Sequence, residues 1–284
     1  MLEPDTDQQD RKNLAETLQQ LRKAVGLSGE RLAARAAMSQ SKVSRIESGR
    51  ALPSVADVEC LLQALEVPSD ARAEILSLAR AANVEYASVR SSARKGIWRR
   101  QAELKSLAKA SSVVRHFLPA IPSGLLQTRE YARAVLTPGV EGRPARDIDR
   151  AIQARLDRQE VLNDESRRFY FLLTEQAARV KYAAADVMAA QLRHMTEAST
   201  RPNVDLAILP NSALVSEPPL NVFAVYDDRL VTVELFSGSV ALRDYRDISY
   251  HLNVFEHFRE RAVTGDQARD FLESVADEFT QQRA

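Results

Sequence analysis

A single cysteine, Cys60, and four histidines among 284 residues leave no pair for an internal disulfide and no Cys/His cluster for a structural zinc site. His116, His194, His251 and His257 are scattered, and the nearest two lie six apart, off the i, i+4 spacing that puts two ligands on one helix face. No stretch approaches 18 uninterrupted apolar residues, and the first ten, MLEPDTDQQD, are acidic and polar where a secretion signal would be basic and then apolar. A cytoplasmic protein without membrane contact is expected. Glycine is sparse, at nine residues, and forms no P-loop, no G-x-G-x-x-G and no G-x-S-x-G nucleophile elbow. Cys60 is expected on the apolar side of its helix as a packed thiol, so no catalytic group, metal or cofactor is predicted. Glu175 and Glu234, near strand ends, are the carboxylates most worth following. What remains is an ordinary globular composition, 45% hydrophobic and 27% charged, with a length that suits two domains.

The formal net charge is zero, with 39 basic and 39 acidic residues, yet the charge is not evenly spread. Residues 11–50 carry nine basic against three acidic side chains, and residues 90–116 carry eight against Glu103 alone. From 117 onward acidic residues outnumber basic ones by 25 to 20. A basic front and an acidic rear suit a chain whose front meets a polyanion, although solvated helix faces would give the same runs.

Along 12–25, Leu14, Leu18, Leu21 and Val25 recur at helical spacing, and Gly26 closes the helix. Ser28 can cap a short helix to Arg35 with Leu32 and Ala33 inward. Ser39 can cap another to Ser48 with Val43 and Ile46 inward. Only Ala36, Ala37 and Met38 separate them, and two short amphipathic helices with so tight a turn predict a helix-turn-helix whose second helix enters the DNA major groove. Leu52-Pro53-Ser54 restarts a helix over 54–65 and Pro68-Ser69 another over 69–82, completing a five-helix bundle.

The residues that mark this bundle are Arg22 before the Gly26-Leu27-Ser28 corner, the Glu-x-Leu-Ala step from Glu30 to Ala33, Ser39-Gln40, and Ile-Glu-x-Gly-x-x-x-Pro from Ile46 to Pro53. In these the segment 12–82 resembles the DNA-binding domain of the lambda repressor and Cro (XRE, Cro/C1-type) family. Two positions depart from that pattern: Ala37 stands where glycine is usual, and Gly29 where a glutamine or glutamate would reach phosphate. The resemblance implies an internal ion pair between Arg22 and Glu47.

Residues 1–11 read as a polar arm and 83–117 as a basic helical connector in which Trp98 packs and the cations serve intramolecular or dimer contacts, with flanking DNA phosphates as the alternative. Residues 118–284 begin with PAIPSGLLQT, continue through helices at 128–136 and 145–163, and then change period. The runs 169–173, 204–209, 221–226 and 230–236 are β-branched and aromatic, with a helix at 184–199 between the first two and helices at 245–262 and 264–281 closing the chain. The predicted fold is therefore an all-α N-terminal domain followed by an α+β domain with a mainly antiparallel sheet and a hairpin at Asp227-Asp228. Leu125 to Thr128, Tyr131-Ala132-Arg133, Arg155-Leu156-x-Arg158-Gln159, Gln191-Leu192, Leu209-Pro210 and Val233-Glu234 resemble the uncharacterised C-terminal domain of actinobacterial helix-turn-helix regulators. Ser123 interrupts the usual Pro-Gly of its first motif.

On the recognition helix, Gln40 is suited to adenine, Arg45 to guanine, and Ser41 to either base. Lys42, Ser44, Arg50 and the helix starts at Ser28 and Ser39 are placed for phosphate. The function expected is sequence-specific binding of double-stranded DNA as a homodimer on an inverted-repeat operator, near the nucleoid. The C-terminal domain would then receive a small-molecule effector or a protein signal. The resemblance also implies an alternative, an antitoxin-like protein that sequesters a small partner encoded by an adjacent gene and regulates its own operon. An effector-processing enzyme would need an acid/base set the sequence does not display.

Overall fold

Serine at the head of each short helix and a left-handed residue just past its tail set the architecture of the first part of the chain. The computed structural model describes residues 6–89, 97–140 and 147–282. The chain divides into two units, one comprising Met1–Tyr86 with Val240–Asp247, the other Ala87–Ser239 with Ile248–Ala284. None of the described helices is long and apolar enough to cross a membrane.

The first unit contains α1 (Thr6–Ala24), α2 (Gly29–Arg35), α3 (Gln40–Glu47), α4 (Val55–Ala64) and α5 (Ser69–Ala82). Leu14, Leu18, Leu32, Val43, Ile46, Val58, Leu61 and Leu62 form its core, each essentially removed from water. Helix α1 starts earlier than the apolar spacing indicates, so residues 6–11 are its first turns and not an arm. Those residues include no proline or glycine to stop a helix. Val25 is exposed, because the helix stops at Ala24 and the chain turns away. Cys60 is also exposed. The buried face of α4 is Val55, Val58, Leu61 and Leu62, and position 60, two residues after Val58, lies on the opposite side at 100° per residue.

Four helix ends here place one residue in the left-handed region. Gly26 and Gly49 are the expected glycines, while Ala37 (φ 54°) and Glu66 (φ 55°) carry side chains there. After α2, the amide of Met38 donates to Ala33 O at 2.9 Å and that of Ala37 to Ala34 O at 3.4 Å, a Schellman closure that satisfies the last carbonyls at the expense of strain at Ala37. Ala37→Gly is therefore expected to stabilise the first unit by about 1 kcal/mol. A urea titration followed by helical circular dichroism checks it, and an unchanged or lower midpoint would show that the turn carries no such strain.

The strands are β1 (Val84–Ser88), β2 (Val113–Leu118), β3 (Arg168–Thr174), β4 (Val204–Leu209), β5 (Phe223–Tyr226), β6 (Leu230–Leu235), β7 (Gly238–Leu242) and β8 (Val263–Thr264). They form one sheet in the order β1-β7-β6-β5-β2-β3-β4-β8. The antiparallel pairings β2/β5, β5/β6 and β4/β8 agree with the expected sheet, and the parallel run β2/β3/β4 at its centre makes it mixed. Parallel neighbours need crossovers, and these are supplied by α7 (Arg129–Leu136) and α8 (Ile148–Gln159) between β2 and β3, then by α9 (Glu175–Arg179) and α10 (Ala185–Ala198) between β3 and β4. The remaining helices are α6 (Ile97–Lys109), α11 (Tyr245–Arg259) and α12 (Gly265–Gln281).

The segment 83–117 is thus not a helical connector throughout. Its two ends are strands β1 and β2, because Val113, Val114 and Phe117 find a place in the sheet, and between them 97–109 is helical. Several of its cations are occupied within the second unit. Lys105 meets Glu160 at 2.8 Å, Arg100 meets Glu103 at 3.3 Å, and the guanidinium of Arg150 lies 3.8 Å over the Trp98 ring. Arg90, Arg94 and Lys95 lie outside the described residues.

Candidate nucleic-acid interface

Helix α3 is held from both ends and from below. Ser39, in extended conformation, caps it by accepting the amide of Lys42 at 3.2 Å, as Ser28 caps α2 by accepting that of Arg31 at 3.2 Å. Val43 and Ile46 anchor the inner face in the core. At the C-terminal end, Arg22 of α1 grips Glu47 with two parallel hydrogen bonds, Nε to Oε1 at 2.7 Å and Nη2 to Oε2 at 2.8 Å. Its third nitrogen donates to Leu27 O at 2.8 Å, tying the α1–α2 corner to the same clamp. The side chains are only 16% and 8% exposed. The hydrogen bonds to Glu47 raise the Arg22 pKa above its ordinary value, burial opposing them.

With the inner face fixed, Gln40, Ser41 and Arg45 project into solvent and Ser44 is half-buried. A shallow cleft of about 330 Å³ runs beside the helix, lined by Gln19, Arg22, Gly29, Gln40, Val43, Ser44, Glu47 and Ser48. Gly29 leaves open the mouth that a longer side chain would occupy; a Cβ built there meets nothing within 4 Å. Lys42 is engaged, its ammonium 2.6 Å from Asp57 of α4. Asp57 also closes a capping box with Ser54. Lys42 thereby fastens α3 to the next helix, a role its position in the sequence did not suggest. Arg50 is exposed and donates from Nε to Ser48 Oγ at 2.9 Å.

In the second unit the motif residues of the sequence come together. Gln159 donates to the carbonyls of Gly124 (3.1 Å) and Gln127 (2.7 Å), and Gln191 donates to Leu126 O (2.6 Å) while accepting the Thr128 amide (2.8 Å). Arg155 donates to the Gln127 side chain. Ser123, the interrupting residue, is buried and accepts the Leu126 amide at its carbonyl, turning the chain into this network. Glu175 is committed to Arg179 (2.7 Å) and the Asn211 amide (2.8 Å), whereas Glu234 is exposed. No group of three or more potential metal ligands is found among the described residues.

Residues 13–75 match the family described as a helix-turn-helix domain. Residues 101–274, more than half of the chain, match the domain of unknown function DUF5753. The chain belongs to the DUF5753 family. As a DUF5753 protein with an N-terminal helix-turn-helix, it has the architecture of an XRE-type regulator carrying an uncharacterised C-terminal domain. Among solved structures it is similar to TrmBL2, an archaeal chromatin protein described as showing a novel mode of DNA binding. The identity is 15%, the TM-score 0.32, and the likeness covers 73% of this DUF5753 chain and 66% of TrmBL2. The chain thus spans slightly less than two thirds of that protein's length. None of the curated proteins compared matches.

Proposed function

We propose that this chain is a sequence-specific regulator of transcription that binds double-stranded DNA as a homodimer, with α3 in the major groove. The observation that carries the reading is the division of α3, with Val43 and Ile46 locked inward and Gln40, Ser41 and Arg45 left free at the surface. Arg45 suits a bidentate contact to guanine, Gln40 one to adenine, and Ser41 either base. Ser28, Ser39, Ser44 and Arg50 meet phosphate and set register. Lys42 joins them only by exchanging Asp57 for a phosphate. A lone domain of this size buries too little DNA for tight specific binding, and pairing on half-sites one helical turn apart supplies the rest. The second unit receives the signal.

The test is recovery of genomic fragments by purified protein, followed by titration of the best fragment at several salt concentrations. Enrichment of an inverted repeat is expected, with log K falling linearly against log[salt]. Arg45→Ala is expected to weaken operator binding by about 1 to 3 kcal/mol and random-sequence binding hardly at all. Equal losses on both would remove Arg45 from the bases.

A second reading, sequestration of a small protein partner with DNA binding serving autoregulation, is favoured by the bare apolar side chains Leu214, Leu220 and Phe236, which are 91%, 74% and 106% exposed. A fragment enriched only when the adjacent gene product is added would support it.

A further inference from the structure

Arg158, on α8, is only 7% exposed, and no acceptor among the described residues hydrogen-bonds to it. Its Nε is buried without a partner. One face of the sheet lies in its field. The register puts Val114 opposite Tyr226 and His116 opposite both Ala224 and Phe171, so His116 and Tyr226 share that face. Tyr226 and Glu234 act on Arg158 as negative or potentially negative groups and Arg100 as a like charge, while burial is the largest influence and disfavours the charged form. Glu234, the one carboxylate among these influences, is exposed and makes no ion pair with Arg158 among the described residues. From the other side, Gly124 closes on the guanidinium. A Cβ there would stand 2.6 Å from Nη2 of Arg158, so a side chain at 124 would push the guanidinium out of its present place.

A largely buried guanidinium whose Nε has no acceptor is a costly arrangement, and a rigid planar fork of donors matches carboxylate and phosphate oxygens. We propose that Arg158, walled by Gly124 and flanked by His116 and Tyr226, anchors an oxyanion site in the second unit that takes the carboxylate or phosphate group of a small molecule. As a binding site it stands without reference to DNA; as an effector site it rests on the signal-receiving role proposed above. His116 stays neutral at physiological pH, since burial and Arg158 together lower its pKa to about 3. It flanks the anion without competing for it.

The test uses the full chain without DNA, in chloride buffer at constant ionic strength, titrated separately with inorganic phosphate and with acetate. The readouts are the NMR signal of the Arg158 Nε–H, assigned by its loss in Arg158→Met, and the thermal midpoint seen by Trp98 fluorescence. A saturable shift of that signal is expected with at least one anion; phosphate alone points to a phosphorylated ligand and acetate alone to a carboxylate. In chloride, Arg158→Met is expected to melt at or above the parent temperature, and added anion is expected to raise the parent midpoint without moving the variant. Should Arg158→Met fail to fold, Arg158→Lys keeps the charge without the fork and is expected to weaken the anion response at least tenfold. A signal that neither anion moves saturably, with Arg158→Met melting lower in chloride, would overturn the site in favour of a structural guanidinium, one that closes on Glu234 for instance. Because no DNA is present, that failure is distinct from a failure of operator binding.

Discussion

Replacing Glu47 with alanine is expected to lower the stability of the first unit by about 3 kcal/mol, the lower end of the cost of stranding one member of a buried ion pair, because this pair is part-buried. Arg22 would keep its contact to Leu27 O but lose both carboxylate bonds, at a site where water reaches only a sixth of its side chain. Arg22→Ala is expected to behave alike by stranding Glu47, and the double variant to recover part of the loss, since no bare charge is left behind. Urea unfolding followed by circular dichroism reads the helices of both units, and the part of the change that Trp98 fluorescence does not follow reports the first. Trp98, the single tryptophan, belongs to the second and serves as an internal control. Losses below 1 kcal/mol for both single variants would mean that the clamp is a surface pair in energetic terms. For the proposed DNA contact the consequence is direct, because the clamp ties α3 to α1 and a loosened helix would present Arg45 in many orientations.

The second large effect is a dependence on acid. His116 stacks on Phe171 at 5.2 Å between ring centroids, nearly parallel at 14°, and its Nε2 is buried without a partner among the described residues. Burial first, and Arg158 second, lower its pKa from 6.5 to about 3. Above pH 6.5 the ring is neutral in folded and unfolded chains alike, and its contribution is fully present. As pH falls from 6.5 toward 3 the unfolded chain takes up a proton that the folded one refuses, so stability falls by about 1.4 kcal/mol per pH unit, about 4 to 5 kcal/mol in all. Carboxylates add their own acid dependence, so the measurement is a comparison of urea midpoints by Trp98 fluorescence, across that range, in the parent and in His116→Phe, which keeps a ring against Phe171. The variant is expected to lose less stability on acidification. Parallel curves would show that His116 titrates freely in the folded chain.

Much of the first unit was legible because its signals are local. Serine caps, glycine closures and a 3.6-residue apolar period are properties of a few consecutive residues, and they locate α2 through α5 closely. What escaped reading there was relational. Asp57 looks like a capping residue in sequence, and only the fold brings it to Lys42. Cys60 lies among apolar neighbours in the chain and yet faces water, because two residues of helix amount to more than half a turn. In the second unit, 113–118 hid in a basic segment: Arg115 and His116 break the apolar run that would have marked β2. The parallel order of β2, β3 and β4 depends on contacts between strands some 35 to 55 residues apart, which no local pattern encodes. The motif residues Gly124, Arg158 and Gln159 were visible as a resemblance, and their proximity was not.

The first unit is discontinuous in sequence. Residues 240–247 belong to it, and there Arg243 meets Glu85 at 3.2 Å and donates its amide to Asn83 O. A ribosome therefore delivers the five helices early and their last neighbours about 150 residues afterwards, roughly 8 to 30 s at 5 to 20 residues per second. During that interval the nascent helical bundle is incomplete at the end of α5. A gene fragment stopping near Tyr86 would make that waiting state permanent.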